Sequence, residues 1–217
     1  SQVDGTHELP NILSIAHKLN LRQKYPNHRY PDVLFQISSP ELRELAQSYL
    51  EGANIFRKGA KHFTDKMPNN FRHIGLIRLM FPNAKIIDAR RDPMDTCWSC
   101  FKQLFAEGQE FTYDLDNIFH YYQEYLKLMD HWNRVLPGYI HKVQHEDLLN
   151  QPEKIIRELL DFCNLDFEKQ CLEFHKTKRL VKTASSEQVR QPLNTKGVGR
   201  WKPYQKHLIP FRDKYKV

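Results

Sequence analysis

Three short runs of strand-like residues are separated by longer stretches of helical periodicity, and this alternation constrains the fold more than any other feature of the chain. "KHFTDK" (61–66), "AKIIDA" (84–89) and "YIHKVQHEDL" (139–148) read as strands. Residues 8–19 place Leu9, Ile12, Leu13, Ala16 and Leu19 on one helical stripe, with Pro10 in the opening turn. Ser39-Pro40-Glu41 caps a second helix to about Leu50. "PNNFRHIGLIRLMFP" (68–82) supplies a third, stopped near Pro82. A fourth starts at Asp92 as N-cap with Pro93 as first helical residue, a fifth spans 115–135, and "PEKIIRELLDF" is the last. Strands alternating with helices imply a parallel sheet covered on both faces, and the doubly apolar centre of "AKIIDA" suits burial. Ligands of such sheets sit beyond the carboxyl ends of the strands, here Asp65-Lys66, Arg90-Arg91 and His145-Glu146.

A length of 217 residues at 40% hydrophobic content suits a single globular domain, 1–217. No apolar run approaches the roughly 18 residues of a spanning helix, and residues 1–7 lack a signal-peptide pattern. Cys97, Cys100, Cys163 and Cys171 are too few for a disulfide framework and suggest a reducing, cytoplasmic setting. The Cys97-x-x-Cys100 pair has no second ligand pair at matching spacing and lies in the second turn of its helix. Packing thiols are therefore expected, and no metal.

The net charge of +7 is concentrated in one segment. Residues 176–217 hold 12 Lys and Arg against Glu187 and Asp213, whereas the rest of the chain is slightly acidic. Such a segment suits nucleic acid, an acidic membrane surface, a phosphorylated small molecule or plain solvent. "RRDPMDTCWS" (90–99) adds arginines at a strand end, a capped helix N-terminus and Ser99 eight residues after Arg91. Those are the parts of a phosphate cradle, although two arginines there also suit a structural turn.

The set of motifs resembles the nucleotide-dependent sulfotransferases, which transfer a sulfuryl group from 3′-phosphoadenosine 5′-phosphosulfate. "RRDPMDTCWS" is similar to the family stretch in which an Arg and a Ser hold the 3′-phosphate, which implies that role for Arg91 and Ser99. "TDKMPNN" with "LIRLMFPNAKII" resembles the segment carrying a catalytic lysine in the branch of tyrosylprotein sulfotransferases and bacterial tetratricopeptide-linked relatives, and Lys66 matches it. "GTHELP" is similar to that branch's Gly-x-x-Glu stretch, which implies Glu8 as general base. "VQHEDL" puts His145 where the family has an aromatic against the adenine. "SSEQVRQPLNTKGVGRWKPY" resembles the closing nucleotide loop, with Ser185, Gln188, Arg190, Asn194, Arg200 and Trp201 at corresponding positions.

The resemblance implies a three-layer α/β fold of the P-loop type, a hydroxyl acceptor that is a small molecule or a tyrosyl group, adenosine 3′,5′-bisphosphate as product, and a nucleotide-binding segment at 176–217. The family's opening strand and its loop around the 5′-phosphosulfate have no counterpart before Gly5. The expectation is an N-terminally incomplete chain with impaired turnover, whose "AKIIDA" strand is covered by self-association, a rearranged segment or another chain. A non-catalytic nucleotide-binding domain and a nucleic-acid binder using the basic tail are the alternatives; the latter lacks a known stacking module. The aromatic stripe Phe119, Tyr122, Tyr125 and Trp132 reads as core.

Overall fold

A computed structural model describes residues 2–6, 8–21, 25, 27–105, 107–176 and 190–217. Packing divides the chain into two compact units, Ser1–Ala84 and Lys85–Val217.

In the first unit, strand β1 (Val3–Gly5) pairs in parallel with β2 (His62–Thr64), Asp4 facing Phe63. β1 has no apolar signature and was not expected. It is held by its surroundings: the Asp4 carboxylate accepts the Lys58 and Ala60 N–H groups at 2.7 and 3.0 Å, which fixes the turn ahead of β2. Helix α1 (Asn11–Asn20) buries Ile12, Ile15, Ala16 and Leu19, the spacing of one helical face. It starts later than the periodicity suggests, because Glu8 and Leu9 precede the helix in irregular backbone. Helix α2 (Ser39–Asn54) is capped by Ser38 rather than Ser39 and runs past Leu50. Ser38 and Glu41 form a reciprocal capping box, each satisfying the other's backbone N–H. The expected helix over 68–82 is divided. Pro68–His73 is a 3₁₀ segment and only Ile74–Met80 is α-helical (α3), with Ile74, Leu76, Ile77 and Met80 buried.

In the second unit, β3 (Ile86–Arg90) pairs in parallel with β4 (Ile140–Gln144), from Ile86 opposite Ile140 to Arg90 opposite Gln144. Parallel pairing is thus as the sequence implied. Among the described residues the strands form two pairs, one in each unit. β4 stops short of Leu148, because His145 begins helix α6 (His145–Asn150). Helix α4 (Pro93–Lys102) starts as expected: Pro93 is the first residue and the Asp92 carboxylate accepts the Asp95 N–H at 2.9 Å. Helix α5 (Leu115–Val135) is capped in the same way by Asp114. Helix α7 (Pro152–Cys163) ends on Asn164 in the left-handed region.

The core of this unit joins Met94 and Cys97 of α4, Ile118 and Phe119 of α5, and Leu208 and Tyr215 of helix α8 (Gln205–Tyr215). α8 was not foreseen. Its anchorage is long-range: Gln123 donates to the Tyr215 carbonyl, while Lys214 and Tyr215 both donate to the Asp116 carboxylate. Part of the basic tail is therefore structural. Cys97 is buried and Cys100 half-buried, and burial pushes both thiols up, as expected of packing residues rather than reactive ones.

Candidate functional site

Parallel pairing of β1 and β2 sends both strands out at the same end, and the residues that follow them meet. Thr6 donates from both its N–H and its hydroxyl to the Thr64 carbonyl, at 3.3 and 2.6 Å, which ties the exits together. Leu9 is fully buried and anchors the outgoing chain. Between these ties Glu8, three residues past β1, forms an ion pair with Lys66, two residues past β2. Their side chains are 45% and 68% exposed, so a reacting group can approach either one. An exposed ion pair adds little to stability. Its chemistry is more informative: a carboxylate that can accept a proton beside an ammonium that can stabilise a developing anion.

Asp65 was placed at the strand end from sequence, but no role in the site was read for it. Its carboxylate accepts the Tyr49 hydroxyl at 2.9 Å and the Asn70 amide at 3.3 Å. Burial raises its pKa above the usual value even though Tyr49, the Leu9 N–H and Asn70 oppose the shift. Asp65, the residue before Lys66, thus also accepts the N–H of Leu9, the residue after Glu8. The signal was its place directly before Lys66, but an acid after a strand resembles any turn residue.

The second unit sorts the two arginines at the end of β3. Arg90 turns inward: its Nε donates to the buried Asp88 carboxylate at 2.6 Å, and the Tyr125 hydroxyl donates to the other oxygen. Arg91 turns to the tail, donating through Nη2 to the Gly197 carbonyl. Its Nε–H is buried and finds no partner among the described residues. A buried donor without a partner is costly unless a ligand supplies one. Gly197 makes this approach possible, since a Cβ there would lie 3.3 Å from Arg91 Nη2.

Along α4, Asp95, Ser99 and Lys102 follow the spacing of one helix face. Ser99 is exposed. Lys102 was not singled out from sequence; burial, then Arg200 and Arg91, hold its ammonium below the usual lysine range, with Asp95 opposing. Lys102, Arg200 and Arg91 therefore repel one another around one corner, an arrangement that an anion relieves.

His145 follows β4 as Arg91 follows β3, and the register brings both exits to one end of the pair. It is half-buried beside Glu146. Glu146 accepts the Asp92 N–H at 2.9 Å and the Gln144 amide at 2.6 Å. Burial opposes its ionisation, yet these bonds and His145 hold its pKa below the usual carboxylate value.

The tail residues differ in setting. Arg190 and Arg200 are exposed. Asn194 braces its own turn, donating to the Pro192 carbonyl and accepting from the Lys196 N–H. Trp201 packs against the core of the unit, and its N–H reaches Asp95 at 3.3 Å. Ser185 and Gln188 lie outside the described residues. Among the described residues no group of three or more His, Cys, Asp or Glu is arranged to hold a metal ion, and no helix is long and apolar enough to cross a membrane.

Parallel strands that deliver a carboxylate–ammonium pair in one unit and an arginine at a helix N-terminus in the other define an α/β protein with the parts of an anion-handling transferase. The chain belongs to the Sulfotransferase family, whose model matches residues 2–169. It is 36% identical over 222 residues to an uncharacterised Aquifex aeolicus protein, covering 96% of this chain and 29% of that protein. Two proteins provisionally named protein-tyrosine sulfotransferases, from Caenorhabditis briggsae and Caenorhabditis elegans, are each 26% identical over 65% of this chain. The chain spans 52% and 57% of their lengths. A solved sulfotransferase domain from the curacin biosynthetic pathway shares the fold, with a TM-score of 0.53 at 16% identity, covering 81% of this chain and 68% of that one.

Proposed function

We propose that this chain is a sulfotransferase domain that takes 3′-phosphoadenosine 5′-phosphosulfate as donor and a hydroxyl group as acceptor. The observation that carries this reading is Arg91: a guanidinium at the α4 N-terminus whose buried Nε–H has no partner among the described residues, against a glycine whose missing side chain leaves room. A 3′-phosphate supplies the absent acceptor and takes charge-assisted bonds from Arg91, with Ser99 and Arg200 beside it. His145 and Trp201 are assigned to the adenosine portion, and Arg190, Asn194, Ser185 and Gln188 to the closing loop, by resemblance to the family.

The donor supplies an activated sulfuryl group. Lys66 stabilises negative charge on the oxygen that the sulfuryl group leaves, and Glu8 takes the proton of the acceptor hydroxyl as the new bond forms. Their ion pair suits both roles, because it sets an exposed carboxylate that can take a proton beside an ammonium that can face a developing anion. The likeness to the two Caenorhabditis proteins supports tyrosyl peptides as one acceptor class to try.

Calorimetric titration with adenosine 3′,5′-bisphosphate, adenosine 5′-monophosphate and a single-stranded oligonucleotide tests the binding half. Preference for the bisphosphate is expected; tighter binding of the oligonucleotide would favour a nucleic-acid role. Transfer from radiolabelled donor to phenols, alcohols and tyrosyl peptides tests the chemical half. Bisphosphate binding without turnover on any acceptor would leave a nucleotide-binding domain instead of an enzyme.

A further inference from the structure

Asp95 is 2% exposed, yet it carries no apolar packing role that a carboxylate would serve. It sits in the first turn of α4, where the helix dipole favours a negative charge. Its oxygens are turned to a segment more than a hundred residues further along the chain. Oδ2 accepts the Gly199 N–H at 2.6 Å and Oδ1 accepts the Trp201 N–H at 3.3 Å. Oδ2 also lies 3.9 Å from Arg91 Nη2, the same nitrogen that donates to the Gly197 carbonyl. One buried carboxylate thus meets the middle and the far end of the Gly197–Trp201 turn, at Gly199 and Trp201, and the arginine that bonds its near end.

The turn is shaped for this contact. Gly199 has φ +73°, a conformation that side chains disfavour, and it directs its N–H to Asp95. Arg200 lies between the two latched N–H groups, so its position follows from theirs. A carboxylate beside an anion site would ordinarily repel the anion. Here its lone pairs are taken up by backbone donors, while the Arg91 Nε–H has no partner among the described residues.

We propose that Asp95 is a positioning residue for anion binding: it latches the Gly197–Trp201 turn onto the first turn of α4 and so holds Arg91 and Arg200 around the space that a phosphate takes. The proposal rests on the nucleotide reading only for the identity of the phosphate. The latch also couples binding to loop order. An anion bound by Arg91 and Arg200 stabilises the closed turn, and loss of the latch makes the anion order that turn at its own expense.

The test uses the full chain and Asp95→Asn, which keeps the shape but presents an amide donor to one of the two loop N–H groups. Three readouts are taken: hydrogen exchange of the Gly199 and Trp201 amides, the Arg91 Nε–H resonance during titration with inorganic phosphate, and the affinity ratio of adenosine 3′,5′-bisphosphate to 5′-monophosphate. In the wild type, phosphate is expected to move the Arg91 resonance and to slow exchange at Gly199 and Trp201. In Asp95→Asn, those amides should exchange at least about tenfold faster while α5 amides stay unchanged, and phosphate affinity at Arg91 should fall about tenfold, the scale of one charge-assisted bond.

Unchanged exchange in the variant, or faster exchange with phosphate affinity intact, overturns the proposal. Phosphate that leaves the wild-type Gly199 and Trp201 amides unprotected also overturns it, and that measurement needs no variant. A wild type that binds phosphate at Arg91 through the latch but shows no preference for the bisphosphate refutes the nucleotide reading and upholds the latch.

Discussion

Glu8 and Lys66 are 58 residues apart in the chain and form an ion pair just beyond the carboxyl ends of two paired parallel strands. The pairing is a consequence of topology. Parallel register puts both strand exits at one end, Thr6 and Thr64 hold them together, and Leu9 anchors the chain beyond Glu8. Both side chains face water, so the pair is placed for use and contributes little to stability.

Neutralising either member should therefore affect rate far more than folding. Glu8→Gln is expected to lower sulfuryl transfer by about 10²–10⁴, the usual contribution of a general base. Lys66→Ala is expected to lower it by about 10²–10³, the scale of losing one electrostatic stabiliser. Each should shift stability by less than about 1 kcal/mol. Single-turnover transfer from labelled donor, paired with thermal melts, checks this. A large drop in melting temperature with a proportionate loss of rate would make the pair structural.

Arg90 and Arg91 should give opposite phenotypes although they are neighbours. Arg91→Ala removes the group assigned to the 3′-phosphate. It should weaken adenosine 3′,5′-bisphosphate at least about tenfold with little effect on adenosine 5′-monophosphate. Arg90→Ala leaves the buried Asp88 carboxylate with the Tyr125 hydroxyl but without its counter-charge, and removing one partner of a buried pair costs about 3–5 kcal/mol. Chemical denaturation and calorimetry on the two variants separate these outcomes. Equal losses for both nucleotides in Arg91→Ala would remove it from the 3′-phosphate.

What could be read from the sequence follows the range of the forces involved. The Asp92–Pro93 start of α4 and both ends of α5 were foreseen, because caps and periodicity act within a few residues. β1 was not. Val3, Asp4 and Gly5 have no strand character of their own and become a strand through β2 and the Asp4 bonds to the turn at 58–60. α8 was hidden by Pro210 inside it and by an anchorage to Asp116 and Gln123 about ninety residues earlier. The Glu8–Lys66 pair was visible only through resemblance to a family, since neither residue is unusual locally. Asp95 looked like an ordinary first-turn acid, and its partners lie in the tail.

Truncating the hub of the second core should test how far the tail depends on it. Phe119 is fully buried and stacks against Phe211 of α8, with ring centroids 5.7 Å apart. Phe119→Ala is expected to destabilise this unit by about 3–5 kcal/mol and to release α8. Trp98, Trp132 and Trp201 all belong to this unit, so tryptophan fluorescence follows its unfolding. An unchanged unfolding midpoint would mean that α8 is held by its polar contacts to Asp116 and Gln123 alone.

Acid should destabilise the first unit through His73. The imidazole is 7% exposed, with the Tyr30 hydroxyl 2.8 Å from its Nδ1. Burial, then the charge of Arg72, lowers its pKa from 6.5 to about 4. In the native state the ring is thus neutral between those values, whereas in the unfolded chain it takes up a proton as pH falls below 6.5. The unfolded state binds more protons across that window, so stability is full above pH 6.5 and declines toward pH 4. The loss approaches about 3 kcal/mol at the lower end. Tryptophan fluorescence does not follow this unit, which contains no Trp. Hydrogen exchange of the α1 and α3 amides at pH 7, 5.5 and 4.5, corrected for intrinsic rates, reports on it instead. His73→Gln should lower stability at pH 7, where a well-packed neutral ring is lost, and should flatten the dependence between pH 6.5 and 4. A slope as steep in the variant as in the wild type would assign the acid sensitivity to other groups.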